Sequence, residues 1–529
     1  MRKRIFNANY IQFVICLFTV LIFSVFPVLA QLSSAQQDAI VKVEELEPEL
    51  KEVATFIWEN PEISTDEFLS AGRLIDYLEK YGFVVEEEVV EGLPTSFVGT
   101  YGSGKPVVGI LAEFDALPGL SQKSGVFAQK DPVIEGAPGH GCGHNFYGSA
   151  SATAAIALAK TMEEHGITGT VKLFGCLAEE GYSGKAWMVP AGVFDDVDIS
   201  LVWHPGSGPS GVDYSSNTAR VSFIAEFKGL ASHAGNAPEM GRSALDGYEL
   251  MSVGIQYMRE HMYPDTVIHN VVLQGGVAAN IVPDFASAWY YIRQPSPVKM
   301  MDEFEWVKTI AEAAAKMSQT EANVKIMSVT YDALPLKSFT QIANDVVQQI
   351  GPPPFTAEDQ AWANDVRKAF GLEPIEEPLN IKMSTPDLSR VYPDVPRSGA
   401  SADTGNVSWV VPQVSFSATN WVEGTAGHSW RAVSQGTGDP AMKGALQVSK
   451  YIVATALKML ENPELIETVK ADFRENIDKF GFEDLMKGVP VVPFSDLYGI
   501  KREAIPGRIP GKAEEYWKKY GLKGDLRVY

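Results

Sequence analysis

The densest cluster of reactive side chains is the run Gly139-His140-Gly141-Cys142-Gly143-His144-Asn145. A thiolate and an imidazole are good ligands for zinc-like divalent ions, and the glycines let the loop bend so that Cys142 and His144 face one point. Two further segments answer it. Ala178-Glu179-Glu180-Gly181 follows an apolar, β-branched run over 171–177, and His204 follows another over 198–203. Catalytic groups in open parallel sheets gather at the carboxyl ends of strands, where all of these residues fall. The chain holds only eight histidines. Of these, His144, His204, His233 and His428 lie in short turn-forming contexts, His428 within Gly424-Thr425-Ala426-Gly427-His428-Ser429, whereas His165, His261 and His269 read as structural.

A thiol, several imidazoles and a carboxylate pair suit hydrolysis assisted by metal ions. An amide is a poor electrophile and water a poor nucleophile. Divalent cations lower the pKa of water from about 15.7 toward about 7 and polarise a carbonyl, and a nearby carboxylate then acts as general base. A cysteine hydrolase built on Cys142 and His144 is the competing chemistry, but it leaves the acidic pair and the distant histidines without a role.

The elements that must position these residues follow from periodicity. Apolar residues recur at helical spacing over 34–59 and again over 66–80, so two helices are expected to open the mature chain. Strands at 107–111, 170–177 and 197–203 then alternate with helices over 150–162 and near Lys185, the pattern of a mostly parallel sheet with helices on its faces. Over 217–332 the order becomes strand (219–227), helix (242–261), strands (267–273, 286–293), helix (301–317) and strand (323–330). That is a βαββαβ, ferredoxin-like α+β unit. Gly351 to Pro354 forms a loop, followed by a helix over 359–370. The expected organisation is a signal peptide over 1–30, an α/β catalytic domain in two parts over 31–216 and 336–529, and an inserted lid or dimerisation domain over 217–335.

Several runs also occur in one characteristic order: Leu111-Ala112-Glu113-Phe114-Asp115-Ala116-Leu117-Pro118-Gly119, the Cys142/His144 run, Glu179-Glu180, Ala231-Ser232-His233-Ala234, Gly241-Arg242-Ser243-Ala244-Leu245-Asp246 and Asn280-Ile281-Val282-Pro283-Asp284. Over about residues 36–440 this order resembles the amidohydrolase branch of the metallopeptidase family that contains aminoacylases and carboxypeptidases. The resemblance implies two divalent ions, zinc or manganese, held by Cys142, His144, Glu180, His204 and His428, with Cys142 in the place of a bridging carboxylate. It makes Glu179 the general base that takes a proton from water and returns it to the leaving amine. Asp115 would orient a histidine ligand. His233 would reach the substrate, commonly across a dimer interface, and Asn280 and Arg293 would hold the substrate's carbonyl or carboxylate. The chain departs from the wider family where Glu113-Phe114-Asp115 replaces a His-any-Asp signature and where Asn145 replaces an aspartate. A catalytically silent relative is the alternative reading, and such relatives are expected to lose ligands or the base that are all present here.

Composition agrees with a small-molecule substrate such as an N-acyl amino acid, aminobenzoyl-glutamate or a dipeptide. A formal charge of -22 over 529 residues would repel nucleic acid and anionic membranes. Arg2, Lys3 and Arg4 precede an almost uncharged apolar run over 14–30, which reads as a secretory signal and places the enzyme outside the cytoplasm, with an uncleaved anchor as the lesser alternative. Of the three cysteines, Cys16 lies in that segment, and Cys142 and Cys176 are too few for a disulfide framework, although they could pair with each other. A homodimer joined through the inserted domain is expected, and a heteromer with a different partner chain is also open.

Overall fold

The computed structural model describes residues 31–491. The strands are β1 (Val84–Glu87), β2 (Phe97–Ser103), β3 (Val107–Glu113), β4 (Gly169–Cys176), β5 (Ile199–Gly206), β6 (Gly211–Asp213), β7 (Ala219–Lys228), β8 (Val267–Gln274), β9 (Phe285–Gln294), β10 (Glu321–Thr330) and β11 (Gln413–Thr419). They form two sheets, of order β1-β2-β4-β3-β5-β11-β6 and β10-β7-β9-β8.

The central strands β4, β3, β5 and β11 of the first sheet run parallel. Every residue of β3 is buried, as a parallel strand covered by helices on both faces requires. The edge pairings β1–β2, β2–β4 and β11–β6 are antiparallel. One face is closed by the helix His144–His165, whose small side chains, including Ala150, Ala154 and Ala157, let it lie close against the helix Asp439–Glu461. Ser449 Oγ on the latter donates to the carbonyl of Ala150 at 2.9 Å. The parallel register sets Glu113 beside Cys176 and Ser417 beside His204, so the carboxyl ends of β3, β4, β5 and β11 open at one edge.

The second sheet is antiparallel throughout. The helices Ala244–Met258 and Pro297–Ser318 pack on it, completing the βαββαβ order. Buried Phe223, Phe304 and Tyr290 stack together between sheet and helix.

Three boundaries differ from the sequence reading. The helix expected over 34–59 is two, Ser34–Glu45 and Glu47–Glu59, so three helices rather than two open the chain. Pro48 lacks an N–H and is tolerated only in a first turn, so a new helix starts there. The helix after the Cys142 loop starts at His144, because Gly143 at φ +77° turns the chain directly into it. The helix near Lys185 is only Gly184–Met188. The expected signal peptide lies outside the described residues, and among those described no helix is long and apolar enough to cross a membrane.

Candidate active site

Asp115, two residues beyond β3, has its carboxylate fully buried and used twice. Its Oδ1 accepts from His144 Nδ1 at 2.9 Å and its Oδ2 from the backbone N–H of Glu180 at 2.9 Å. One side chain therefore orients a ring at the start of a helix and a turn after β4. The bond at Nδ1 leaves His144 Nε2 as the free ring nitrogen, and that buried atom has no hydrogen-bond partner, although Glu113 Oε2 stands 3.2 Å away. Cys142 Sγ lies 3.3 Å from His204 Nε2, and His204 Nδ1 faces the carbonyl of Pro205 at 2.8 Å. His428 Nε2 is 3.4 Å from Glu180 Oε2, while Glu180 Oε1 is buried without a partner.

The backbone is distorted to achieve this. Ala178 (φ +54°), Ser183 (φ +61°) and His428 (φ +53°) all occupy the left-handed region, which costs a non-glycine residue on the order of 1 kcal/mol or more. Ala178 precedes the Glu179-Glu180 pair, so its strain turns both carboxylates out of the strand direction. Gly141 is required for a different reason. The backbone N–H of His428 donates to its carbonyl at 2.9 Å, and a Cβ at 141 would stand 2.6 Å from Leu120 Cδ1 and 3.3 Å from the Cα of His428.

Three groups of donors converge within 4.8 Å: Cys142, His144 and His204; Cys142, Glu180 and His428; and Glu113, His144 and Glu179. The first two share the Cys142 sulfur, and together they contain all five residues read from the sequence as ligands. Their electrostatics suit cations. Burial and the carboxylates of Glu113, Glu180 and Asp403 raise Glu179 well above the usual carboxylate range. Burial also lifts Glu180 to about 7, with Asp115 and Glu113 adding to it against the opposing pull of His144. Burial, then Glu180, pushes the Cys142 thiol up, and burial, then His144, lowers His204 to about 4, which keeps its ring neutral. A crowded anionic pocket, neutral imidazole and orphaned buried donor atoms fit a pair of divalent ions that take up those lone pairs.

His233 and Asn280 lie elsewhere. Both are exposed, and they meet each other in the second sheet's loops, where the N–H of Ala234 donates to the carbonyl of Asn280 at 3.0 Å. His233 Nδ1 accepts from the backbone N–H groups of Gly235 and Asn236 at 3.2 and 3.0 Å, leaving Nε2 outward. Arg293 on β9 donates through Nη1 to Ser401 Oγ at 2.9 Å. Cys142 and Cys176 are both free thiols, so the disulfide alternative does not hold.

An ion triad that sequence reasoning missed lies behind the donors. Lys185 Nζ, fully buried, is 2.8 Å from Glu113 Oε1 and 2.5 Å from Asp403 Oδ1, and its backbone N–H donates to Asp403 Oδ2 at 2.8 Å. Glu113 was visible only as a departure from a signature, and Asp403 lies 218 residues from its partner, beyond any spacing rule. The largest cavity, about 380 Å³, is lined by Trp58, Glu62, Phe68, Gln122 and Ile134 and includes none of the donor residues.

The sequence pattern of peptidase family M20/M25/M40 matches residues 109–399, more than half of the chain and all the donors except His428. The chain belongs to this family. M20/M25/M40 membership makes it a metal-dependent hydrolase of amide bonds. It is 34% identical over 446 residues to one of the two kinds of chain that make up p-aminobenzoyl-glutamate hydrolase of Escherichia coli, covering 81% of this chain and 92% of that one. It is 26% identical to the Xaa-Arg dipeptidase of Mus musculus, covering 84% and 93%. A solved structure from methicillin resistant Staphylococcus aureus shares the M20/M25/M40 fold at a TM-score of 0.52 and 19% identity, covering 80% of this chain and 99% of that one.

Proposed function

We propose that this chain hydrolyses the amide bond of small N-acyl amino acids, aminobenzoyl-glutamate or dipeptide-like substrates with two divalent ions, zinc or manganese, as cofactors. The observation that carries the reading is the Cys142 sulfur shared by two donor groups, Cys142/His144/His204 and Cys142/Glu180/His428, with Glu179 beside them. The substrate range is supported by the relatives, one named for aminobenzoyl-glutamate and one for dipeptides.

In this reading the five ligands hold the ions, which when bound polarise the scissile carbonyl and make water a competent nucleophile near neutral pH. Glu179 removes the proton from the attacking water and carries it to the leaving amine nitrogen. A general base works best when its pKa lies near the working pH, and the raised pKa of Glu179 moves it in that direction. Asp115 keeps His144 in the tautomer with Nε2 free. His233 and Asn280 supply donors to the substrate carbonyl from the unit over 217–335, acting as a lid, and Arg293 binds a carboxylate.

Homodimerisation through that unit is supported by β8, an edge strand whose Val267, Val271 and Val272 are exposed. A heteromeric partner is the second possibility, since the relatives include two different chains of the same Escherichia coli hydrolase. Export by the segment 1–30 completes the proposal. The test of the mechanism is Glu179→Ala in the purified, metal-loaded protein. Turnover is expected to fall by at least about 10²-fold with metal content unchanged, and full activity in that variant would overturn the role of Glu179.

A further inference from the structure

The face of the second sheet turned toward the catalytic residues carries an unbalanced pair of charges. Arg220 on β7 and Arg293 on β9 stand directly opposite each other in the antiparallel register. Like charges in that position repel and destabilise a sheet. Both guanidiniums lie over the ring of Tyr291, their central carbons 4.6 and 5.6 Å from its centroid. Their partners are neutral: Arg220 donates to Ser183 Oγ, and Arg293 donates to Ser401 Oγ at 2.9 Å and to His269 Nε2 at 3.3 Å. Among the described residues no carboxylate forms an ion pair with either one. Arg220 is only 5% exposed, and its Nε has no hydrogen-bond partner.

A pair of buried, uncompensated cations costs several kcal/mol unless an anion joins them. The pair is also close to the chemistry. Ser183 lies three residues beyond Glu180 and Ser401 two before Asp403. Burial and the charge of Arg220 destabilise the charged form of Arg293, while Glu179 acts on it in the opposite sense.

We propose that Arg220 and Arg293 form a two-cation subsite that selects substrates whose leaving amino acid bears two carboxylates, an aspartate or glutamate, with Arg293 holding one carboxylate and Arg220 the other. A single carboxylate neutralises one guanidinium and leaves the second unpaired. Two carboxylates a few carbon atoms apart satisfy both neighbouring forks, each capable of bidentate contact. The inference rests on the amidohydrolase reading and narrows its substrate class, and Arg220 is the residue it adds.

The experiment compares N-benzoyl-glutamate with N-benzoyl-glutamine in the metal-loaded full chain, for wild type, Arg220→Met and Arg220→Lys. It is paired with calorimetric binding of free glutamate and glutamine to wild type after chelator treatment. Wild type is expected to favour the glutamate substrate in kcat/KM and to bind glutamate more tightly than glutamine. The kcat/KM ratio should fall by about 10- to 100-fold in Arg220→Met, the worth of a charge-assisted hydrogen bond, and less in Arg220→Lys. Equal use of both substrates by wild type, or a ratio unchanged in both variants, overturns the subsite. Should Arg220→Met not fold, Arg220→Lys and the wild-type binding comparison decide the matter. Should wild type hydrolyse neither substrate with any metal, the amidohydrolase reading fails, while the glutamate and glutamine affinities still judge the anion subsite.

Discussion

Replacing Asp115 by asparagine changes almost no volume but removes a charge and one of two acceptor oxygens. In the native protein Oδ1 accepts from His144 Nδ1 and Oδ2 from the N–H of Glu180, each at 2.9 Å and in the buried interior. The asparagine oxygen can serve only one of these donors, and its NH₂ group then faces the other, donor against donor. A hydrogen bond to a charged acceptor is worth about 1.5–3 kcal/mol, and a buried donor left without an acceptor costs about 1–3 kcal/mol. Part of this appears as lost fold stability. The rest appears in metal binding, because His144 and Glu180 belong to different donor groups and both lose their orientation. Substitutions of residues that support ligands typically lower metal affinity 10- to 100-fold, about 1.4–2.7 kcal/mol. Competition of wild type and Asp115→Asn against a chromogenic chelator at pH 7.5 measures this directly, with far-ultraviolet dichroism confirming the fold. An affinity within threefold of wild type would refute the claim that Asp115 organises both sides of the centre.

Two other perturbations test the surroundings of the site. Lys185→Met leaves Glu113 and Asp403 buried without their cation and should cost about 3–5 kcal/mol in urea denaturation, whereas the triple variant Glu113→Gln/Lys185→Met/Asp403→Asn should recover much of that loss; a single variant as stable as wild type would show that the triad does not act as a unit. Glu62, in the cavity wall, is raised from 4.5 to about 8 by burial, against the lowering effect of the Leu69 and Ser70 N–H groups. A carboxyl whose folded pKa is raised contributes stability that is complete below pH 4.5 and lost as pH climbs through 8. Glu62→Gln should therefore be more stable than wild type at pH 9 than at pH 5, by on the order of 2 kcal/mol after discounting for the open cavity, and thermal unfolding at the two pH values showing no such divergence would contradict the burial argument.

Much of the fold was legible because its signals are local. The β-branched runs of β3, β4 and β5 and the helical spacing within 217–332 depend on neighbours a few residues apart. The edge strands were harder. β1 is four residues with no fully buried position and β6 is three residues long, so neither carries a period. The helices Lys337–Ile350 and Asp439–Glu461 lie in segments for which the sequence reading set out no elements. At the site, Cys142, His144, Glu179 and Glu180 stood out because they combine reactive types with strand ends and glycines. His428 stood out through its loop, and its proximity to Glu180 is a tertiary fact. The Lys185–Glu113–Asp403 triad and the Arg220–Arg293 pair were illegible for the same reason. A buried lysine or a cross-strand arginine pair looks like ordinary solvated charge until the register is known.

The central claim is that two metal ions share the Cys142 sulfur. Elemental analysis of wild type, Cys142→Ala and His428→Ala after reconstitution with zinc or manganese tests it most directly. The account predicts two ions per chain in wild type, about one in His428→Ala and fewer than one in Cys142→Ala. Retention of both ions by Cys142→Ala would contradict it.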